Sequence, residues 1–540
     1  MLVLGGYGGF GGRISERLAA LDFDVLVAGR SEDAARRFCQ GRSGLTPAAV
    51  NRDVGLREAL ADLAPWTVVD AAGPFQGTGY DVPRACIEAG CHYLDIADAR
   101  AFVLGVSTLD AAAKAGGVSI VSGASSVPAL SGAVVRALAS GMNEVRAIEI
   151  AISASSRASA GRSVTEAILS YVGKPIRLWR GGRWETGFGW SELRRQGFEI
   201  DGHLPILPRL VGLADVPDLD LLPDRVAGRP TVTFRAGAEY DLQNRALGLA
   251  GWLVRLGWLA DLRPFAPIAR WVQQRLRRWG SDRSGMVVRL FGQTGSEFVE
   301  HRWTLIAEQG CGPEIPCLAA PILLTRLRDG ALIPGARDAG DLLSSEDFTK
   351  AFAPMPVLQE TRIITLPPPL YAQVMGDRFM ALPQAVRRLH EVVRDGSASG
   401  RAEVTRERTW AARAAAALFR FPAAGEDVPV HVAFTEREGV ETWTRDFAGR
   451  RFQSRLSRRG PLLIERFGPL RFGFELPNDD GGLSMSLKRW RIGPLPLPTI
   501  LAPHSPAREW AEDGVFQFDV PIRAPLMGLI VRYRGWLKPD

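Results

Sequence analysis

Met1-Leu-Val-Leu-Gly-Gly-Tyr-Gly-Gly-Phe-Gly-Gly-Arg-Ile-Ser-Glu-Arg-Leu18 sets Gly6, Gly8 and Gly11 in a G-x-G-x-x-G spacing between an apolar run and an amphipathic helical pattern. The first glycine permits a tight turn, the second lets backbone approach an anion, and the third lets helix pack on strand, so that a helix N-terminus faces the bound group. Glycine-rich turns also close strands for steric reasons alone. The context carries the reading: strand 2–4, loop, helix 12–20 and a second strand at 24–28 follow in the order a dinucleotide pyrophosphate needs. Gly6, Gly8, Gly9, Phe10 and Gly11 are therefore cofactor-binding candidates.

The end of the second strand bears on which dinucleotide. An NAD site usually carries Asp or Glu about 20 residues past the glycines, accepting from the ribose hydroxyls. This chain has Gly29-Arg30-Ser31 there. A guanidinium pairs with a 2′-phosphate and a serine hydroxyl adds a donor, whereas a carboxylate repels it. The expectation is NADP, held by Arg30 and Ser31; the plain alternative is one more surface arginine in an arginine-rich chain. Glu32 and Asp33 fall in the next helix's first turn, where acids suit the helix dipole.

Residues 1–122 continue with β-rich runs at 48–51, 66–70, 93–96 and 118–122, separated by helical patterns. That rhythm predicts an α/β fold, a Rossmann-type doubly wound parallel sheet. The fourth strand runs into Thr67-Val-Val-Asp-Ala-Ala-Gly-Pro-Phe75, whose small residues would let a nicotinamide ribose lie close to the backbone. Ala72, Gly73, Pro74 and Phe75 join the cofactor-binding set.

Residues 123–353 mix strands at 145–153, 231–234, 286–292 and 301–308 with helices at 164–172 and 321–329, the pattern of an α+β second domain. Within it, 247–262 is strongly apolar, and Arg270, Arg275, Arg277, Arg278 and Arg283 follow with Trp271 and Trp279. The segment is too short and too charged to span a bilayer. Two readings stand: peripheral membrane contact through 247–283, with Trp and Leu in lipid and Arg on headgroups, or a dimer or core-packing helix. Phe352-Ala-Pro-Met-Pro356 begins a linker, which places a third domain at 357–540. After a helix around 382–394, roughly eight alternating runs predict a mostly antiparallel β domain, a curved sheet or open barrel. Its apolar face either packs on a helix or lines a lipid-sized cavity.

A chain of 540 residues holds roughly two to four such domains. Its net charge of +7 comes from 61 Arg and only 5 Lys spread along the whole length. No basic stripe with interleaved aromatics appears, so nucleic acid is not an expected partner. Five cysteines, at 39, 86, 91, 311 and 317, are an odd number without C-x-x-C spacing, which argues against a disulfide framework and for a reducing cytoplasm. Cys86, Cys91 and His92 read as small buried groups rather than metal ligands. The chain enters its first strand at once, leaving no room for a signal peptide, and an upstream start stays open.

Four stretches together resemble the saccharopine dehydrogenase-like oxidoreductases over residues 1 to about 353. They are the glycine loop with Ala28-Gly29-Arg30-Ser31; Val69-Asp-Ala-Ala-Gly-Pro-Phe75 with Ala85-Cys-Ile-Glu-Ala-Gly90 and His92-Tyr-Leu-Asp95; Gly123-Ala-Ser-Ser-Val-Pro-Ala129; and Gly312-Pro-Glu-Ile-Pro316 with Gly330 and Gly335-Ala336. The resemblance implies a nicotinamide-binding domain, a substrate and dimer-contact domain, and hydride transfer. Family substrates range from amino-acid imine adducts to polyketide enoyl groups, so no substrate transfers with the fold. The remainder resembles a bacterial domain of unknown function found fused to such reductases, on residues 376–383, Trp443-Thr-Arg445, Glu465-Arg-Phe-Gly468, Gly493-Pro-Leu-Pro-Leu-Pro498 and Gly535-Trp536-Leu537.

Hydride transfer needs the nicotinamide about 3 to 3.5 Å from the accepting carbon, and a proton donor. At the sheet's carboxyl edge Tyr80, Asp95 and Asp98 are the catalytic candidates; their plainer roles are helix-start packing, loop acceptor and helix cap. No Tyr-x-x-x-Lys motif stands out. An amino-acid substrate would need cationic clamps, for which Arg157 and Arg162 are available in kind. The expected function is NADP-dependent reduction of an apolar enoyl or carbonyl group on a lipid or polyketide, by a cytoplasmic or membrane-associated protein. The alternatives are a non-catalytic NADPH sensor or lipid carrier, and an amino-acid dehydrogenase.

Overall fold

In the computed structural model, which describes residues 1–157, 161–407, 409–479, 481–525 and 527–540, the short apolar runs of the N-terminal region form one parallel sheet. Its seven strands lie in the order Gly335–Asp338, Ser119–Ser122, His92–Asp95, Thr67–Asp70, Leu2–Leu4, Val25–Gly29, Leu45–Ala49. Leu2–Leu4, Thr67–Asp70 and Ser119–Ser122 are buried at every position, as strands covered by helices on both faces must be. Strand order reverses between Leu2–Leu4 and Thr67–Asp70, and a crevice opens at their carboxyl ends.

Two details differ from the sequence reading. The third strand, expected at 48–51, is Leu45–Ala49. Pro47 lies inside it and is tolerated because this strand is the sheet's edge. The seventh strand, Gly335–Asp338, was not anticipated and falls within the stretch assigned to the 123–353 domain, yet it pairs in parallel with Ser119–Ser122. The chain therefore builds a second sheet and then returns to the first.

That second sheet runs Arg194–Phe198, Ile206–Leu213, Thr231–Gly237, Glu144–Ser153, Ser284–Thr294, Glu297–Ala307, Val357–Thr365. Only Thr231–Gly237 and Glu144–Ser153 pair in parallel. Its last strand corrects the expected boundary near 356. Residues 352–356 lead the chain back along Glu297–Ala307, and the break comes at Leu366-Pro-Pro-Pro369, whose prolines cannot donate to a ladder. Helix Arg162–Tyr171 and the pair Asp241–Arg255 and Ala266–Leu276 share a small apolar core beside this sheet, built on Leu169, Trp190 and Leu262.

The C-terminal region is a thirteen-stranded antiparallel sheet, from Asn478–Asp479 at one edge to Leu495–Leu497 at the other. It stays open, and it has more strands than the roughly eight expected, because strands as short as Gly482–Ser484 and Leu495–Leu497 show no readable alternation. Val430, Val432 and Phe434 turn one buried face inward onto Leu370–Met375 and Gln384–His390, the latter shorter than the helix expected at 382–394. Arg394 joins this sheet to the middle one, its Nε and Nη2 lying 2.9 and 2.8 Å from the Glu149 carboxylate. Burial alone would raise that carboxyl, but Arg394, with Arg437 and Arg289, holds it well below the usual range.

Candidate active site

Gly8 caps the helix Gly9–Ala19 without a side-chain bond, and the first turn carries no acid. The first N–H groups of a helix have no intrahelical acceptor, and here they meet the crevice with the positive end of the helix dipole. Gly8, Gly9 and Phe10 line a cavity of about 1380 Å³ that starts at this loop, but Gly6 and Gly11 do not. Those two are small for packing: a Cβ on Gly6 would stand 2.7 Å from Val3 O, and one on Gly11 would run into Gly5 O.

Arg30 stands exposed at the cavity edge, and among the described residues no carboxylate pairs with it. Ser31 departs from the expectation and does not line the cavity. Its Oγ accepts the Ala34 N–H at 3.3 Å as the N-cap of Glu32–Cys39, and its own N–H donates to Tyr7 Oη at 3.1 Å. The competition for a serine hydroxyl between a helix start and a ligand is settled locally.

Ala72, Gly73, Pro74 and Phe75 all line the cavity. Two residues the sequence reading missed hold this turn. Arg52 Nη1 donates to Ala72 O at 2.5 Å, its Nη2 lies 3.4 Å from Asp70 Oδ2, and the guanidinium carbon sits over the Phe75 ring at 5.1 Å. Ser163 Oγ donates to Gly73 O at 2.9 Å, tying helix Arg162–Tyr171 to the Rossmann sheet. Burial pushes the Asp70 carboxyl up, with Arg52 opposing. The available signal for Arg52 was a charged residue just past the end of the third strand, at the sheet's carboxyl edge.

Of the three catalytic candidates, the structure brings one to the cavity. Asp98 lines it with its Oδ1 accepting Gln76 Nε2 at 3.1 Å, and burial raises its carboxyl above the ordinary aspartate value. Asp95 is wholly buried elsewhere and accepts from Gly123 N at 2.8 Å, Ala97 N at 2.9 Å and Ser122 Oγ at 3.0 Å, so it clamps the loops after two strands. Tyr80 packs on Phe102 and donates to Phe102 O at 2.8 Å, away from the cavity. Tyr171, also missed, lines the wall near Asp98; burial and then Asp98 keep its phenol protonated.

Beyond Asp98 the cavity continues into a chamber walled by Leu169, Trp190, Phe234, Leu247, Leu262 and Val272. The arginines offered for carboxylate clamping are not placed for it. Arg162 lines the cavity but pairs with Glu166 at 2.6 Å, and Arg157 is not among the lining residues.

The uncapped, acid-free helix start and the unpaired Arg30 suit a dinucleotide carrying a 2′-phosphate. Gly8, Gly9 and Phe10 would hold its pyrophosphate, Arg30 the phosphate, and Ala72 to Phe75 the nicotinamide half.

Residues 1–121 match the family model of the saccharopine dehydrogenase NADP binding domain, and residues 382–537 match that of a domain of unknown function, DUF4166. No curated protein matches the chain. Among solved structures, GenD2 from gentamicin A biosynthesis in complex with NAD is similar at 15% identity, covering 68% of this chain and 95% of its own, with a TM-score of 0.32. A probable dehydrogenase from Thermotoga maritima is similar at 9% identity, 67% and 98% coverage, and a TM-score of 0.34. A myo-inositol dehydrogenase from Corynebacterium glutamicum ATCC 13032 follows at 11% identity, 61% and 87% coverage, and 0.33. The likeness to these structures is loose, and the two family models carry the assignment. The chain joins a saccharopine dehydrogenase NADP-binding domain at its N-terminus to a DUF4166 domain at its C-terminus, and it is an NAD(P)-dependent oxidoreductase.

Proposed function

We propose that the protein reduces an apolar enoyl or carbonyl compound, of lipid or polyketide type, at the expense of NADPH. The observation that carries this reading is the continuity of one cavity from the glycine loop past Asp98 into a chamber walled by Leu, Phe, Trp and Val side chains. NADPH supplies a hydride when bound. The chamber walls hold the acceptor by its apolar body, while Asp98, whose carboxyl is raised above the ordinary aspartate value, gives a proton to the anion that reduction creates. Gln76 orients the Asp98 carboxyl, and Tyr171 is a second hydroxyl on the same wall. An amino-acid substrate fits less well, because Arg162 is engaged by Glu166, and the other lining arginines among the described residues, Arg13, Arg30 and Arg52, belong to the dinucleotide-binding domain.

The test is loss of NADPH absorbance with purified protein across panels of long-chain enoyl and carbonyl lipids, and of lysine or glutamate with keto acids. Turnover confined to the lipid panel is the expected result. Turnover confined to the amino-acid panel overturns the substrate class, and stoichiometric NADPH binding without oxidation in any panel favours a sensor or carrier.

A further inference from the structure

We propose that the helix pair Asp241–Arg255 and Ala266–Leu276 docks on an anionic lipid bilayer and opens the apolar chamber toward it. The second half of this statement rests on the substrate class proposed above; the first half stands on the surface alone.

Each helix of the pair has two apolar sides. Inward, Leu247, Ala250, Ala269 and Val272 line the chamber. Outward, Leu249, Trp252 and Trp271 on the helices, and Trp258 and Trp279 just past their C-terminal ends, remain 51–75% exposed. A surface helix ordinarily turns polar residues to water, so a run of exposed tryptophans marks a surface with a partner. Phe265 and Ile268 belong to both sides: they line the cavity and are 44% and 60% exposed, so the chamber reaches the surface among these tryptophans.

Charge decides what the partner is. Residues 241–280 carry seven arginines and two acids, Asp241 and Asp261, and Asp241 is taken by Arg195. Asp261 is taken by Lys174 and Arg263. Arg245, Arg255, Arg270, Arg275, Arg277 and Arg278 have no carboxylate partner among the described residues; Arg275 instead lies over the Trp271 ring at 5.2 Å. Tryptophan beside unpaired arginine is the combination that a headgroup region with negative charge accepts, ring at the interface and guanidinium on phosphate. A second copy of the chain is disfavoured on this face, because a two-fold contact sets the same patch against itself and would oppose six unpaired arginines to their own copies. The helices span 15 and 11 residues, too short to cross a bilayer, so they lie in its surface.

The experiment is flotation of the full-length protein with vesicles of phosphatidylcholine alone and of phosphatidylcholine mixed with phosphatidylglycerol, with neither NADPH nor substrate present. Binding to the mixed vesicles should exceed binding to phosphatidylcholine at least about tenfold and fall as salt rises. Two variants at exposed positions, Trp252→Ser/Trp258→Ser/Trp271→Ser and Arg270→Glu/Arg277→Glu, should each lose at least about tenfold in partitioning while keeping the parent's melting temperature. Should one variant fail to fold, the other still decides. Equal binding to both vesicle types, no binding to either, or parent-like binding by a folded variant overturns the proposal. So does a dimer in sedimentation equilibrium that the tryptophan variant dissolves, which would show that a second copy covers the face. Vesicle binding without lipid turnover leaves this docking intact and counts against the proposed substrate alone.

Discussion

The ring of Tyr7 fills the space that a side chain on Gly29 would need: a Cβ there would come within 2.5 Å of Tyr7 Cζ and Oη. The glycine loop and the end of the second strand are thereby locked together, and the Tyr7 hydroxyl accepts the Ser31 N–H from the same corner. The strand end that would carry an acid in an NAD site carries no side chain at all. Gly29→Ala should therefore cost about 1–3 kcal/mol through overpacking. Tyr7→Ala in the same background should return part of that loss, because it vacates the space. A double-mutant cycle on thermal melts measures the coupling; simple additivity of the two changes would show that the ring and the strand end do not compete.

With Gly29 bare, Arg30 is the first side chain past the strand, and no described carboxylate engages it. Arg30→Asp should weaken NADPH binding by about 1.5–3 kcal/mol, the worth of a charge-assisted contact, which is roughly tenfold or more in Kd. NADH lacks the 2′-phosphate and should bind the variant at least as well as the parent. Titration by fluorescence separates the two; a parent protein that binds both nucleotides equally would remove Arg30 from this role.

Asp98 and Tyr80 can be told apart by kinetics. Asp98→Asn should lower kcat by about 10²–10⁴-fold, the usual worth of a proton donor, with NADPH affinity unchanged. A donor must be protonated, and burial raises the Asp98 pKa, so the parent's kcat should fall as pH rises through that raised value while the residual rate of the variant stays flat. Tyr80→Phe removes one hydrogen bond to Phe102 O, costing about 0.5–1.5 kcal/mol of stability, and should leave kcat alone. A variant at Tyr80 that loses turnover at unchanged stability would reverse the assignment.

The Rossmann sheet was legible because its strands are short apolar runs at regular intervals and its glycine loop has a fixed spacing. The return of Gly335–Asp338 to that sheet was not, since four residues, one of them glycine, just after a proline look alike in either sheet. Ser31 illustrates the limit for the site. Its position after the strand suited a phosphate, but the following helix needed an N-cap, and a sequence shows the candidate without showing which demand is met. Asp95 and Asp98, three residues apart, were equal on paper; only the fold turns one into a clamp for Gly123 and Ala97 and the other toward the cavity. Arg52 and Tyr171 come from elements whose orientation toward the crevice depends on packing across two sheets, which local patterns do not encode.

Inside the curve of the C-terminal sheet, Glu441 is wholly buried, and Trp443 Nε1 donates to its Oε2 at 3.0 Å while Oε1 has no partner among the described residues. Burial pushes this carboxyl up to about 7, with Trp443 and then His390 acting the other way. In the unfolded chain the group titrates near the ordinary glutamate value of 4.5, so between there and about 7 the native state holds a proton that the unfolded state has released. Stability from this group is therefore full below 4.5, declines as pH rises toward about 7, and is flat above it. Glutamine keeps the acceptor for Trp443 and cannot ionise. Glu441→Gln should match the parent in acid and then gain on it as pH rises, by up to about 3 kcal/mol at neutral pH. Melting curves of both proteins between acid and neutral pH give the difference directly. A gap that is constant with pH would mean that Glu441 releases its proton at the same pH in the native and unfolded states, so that burial does not raise it.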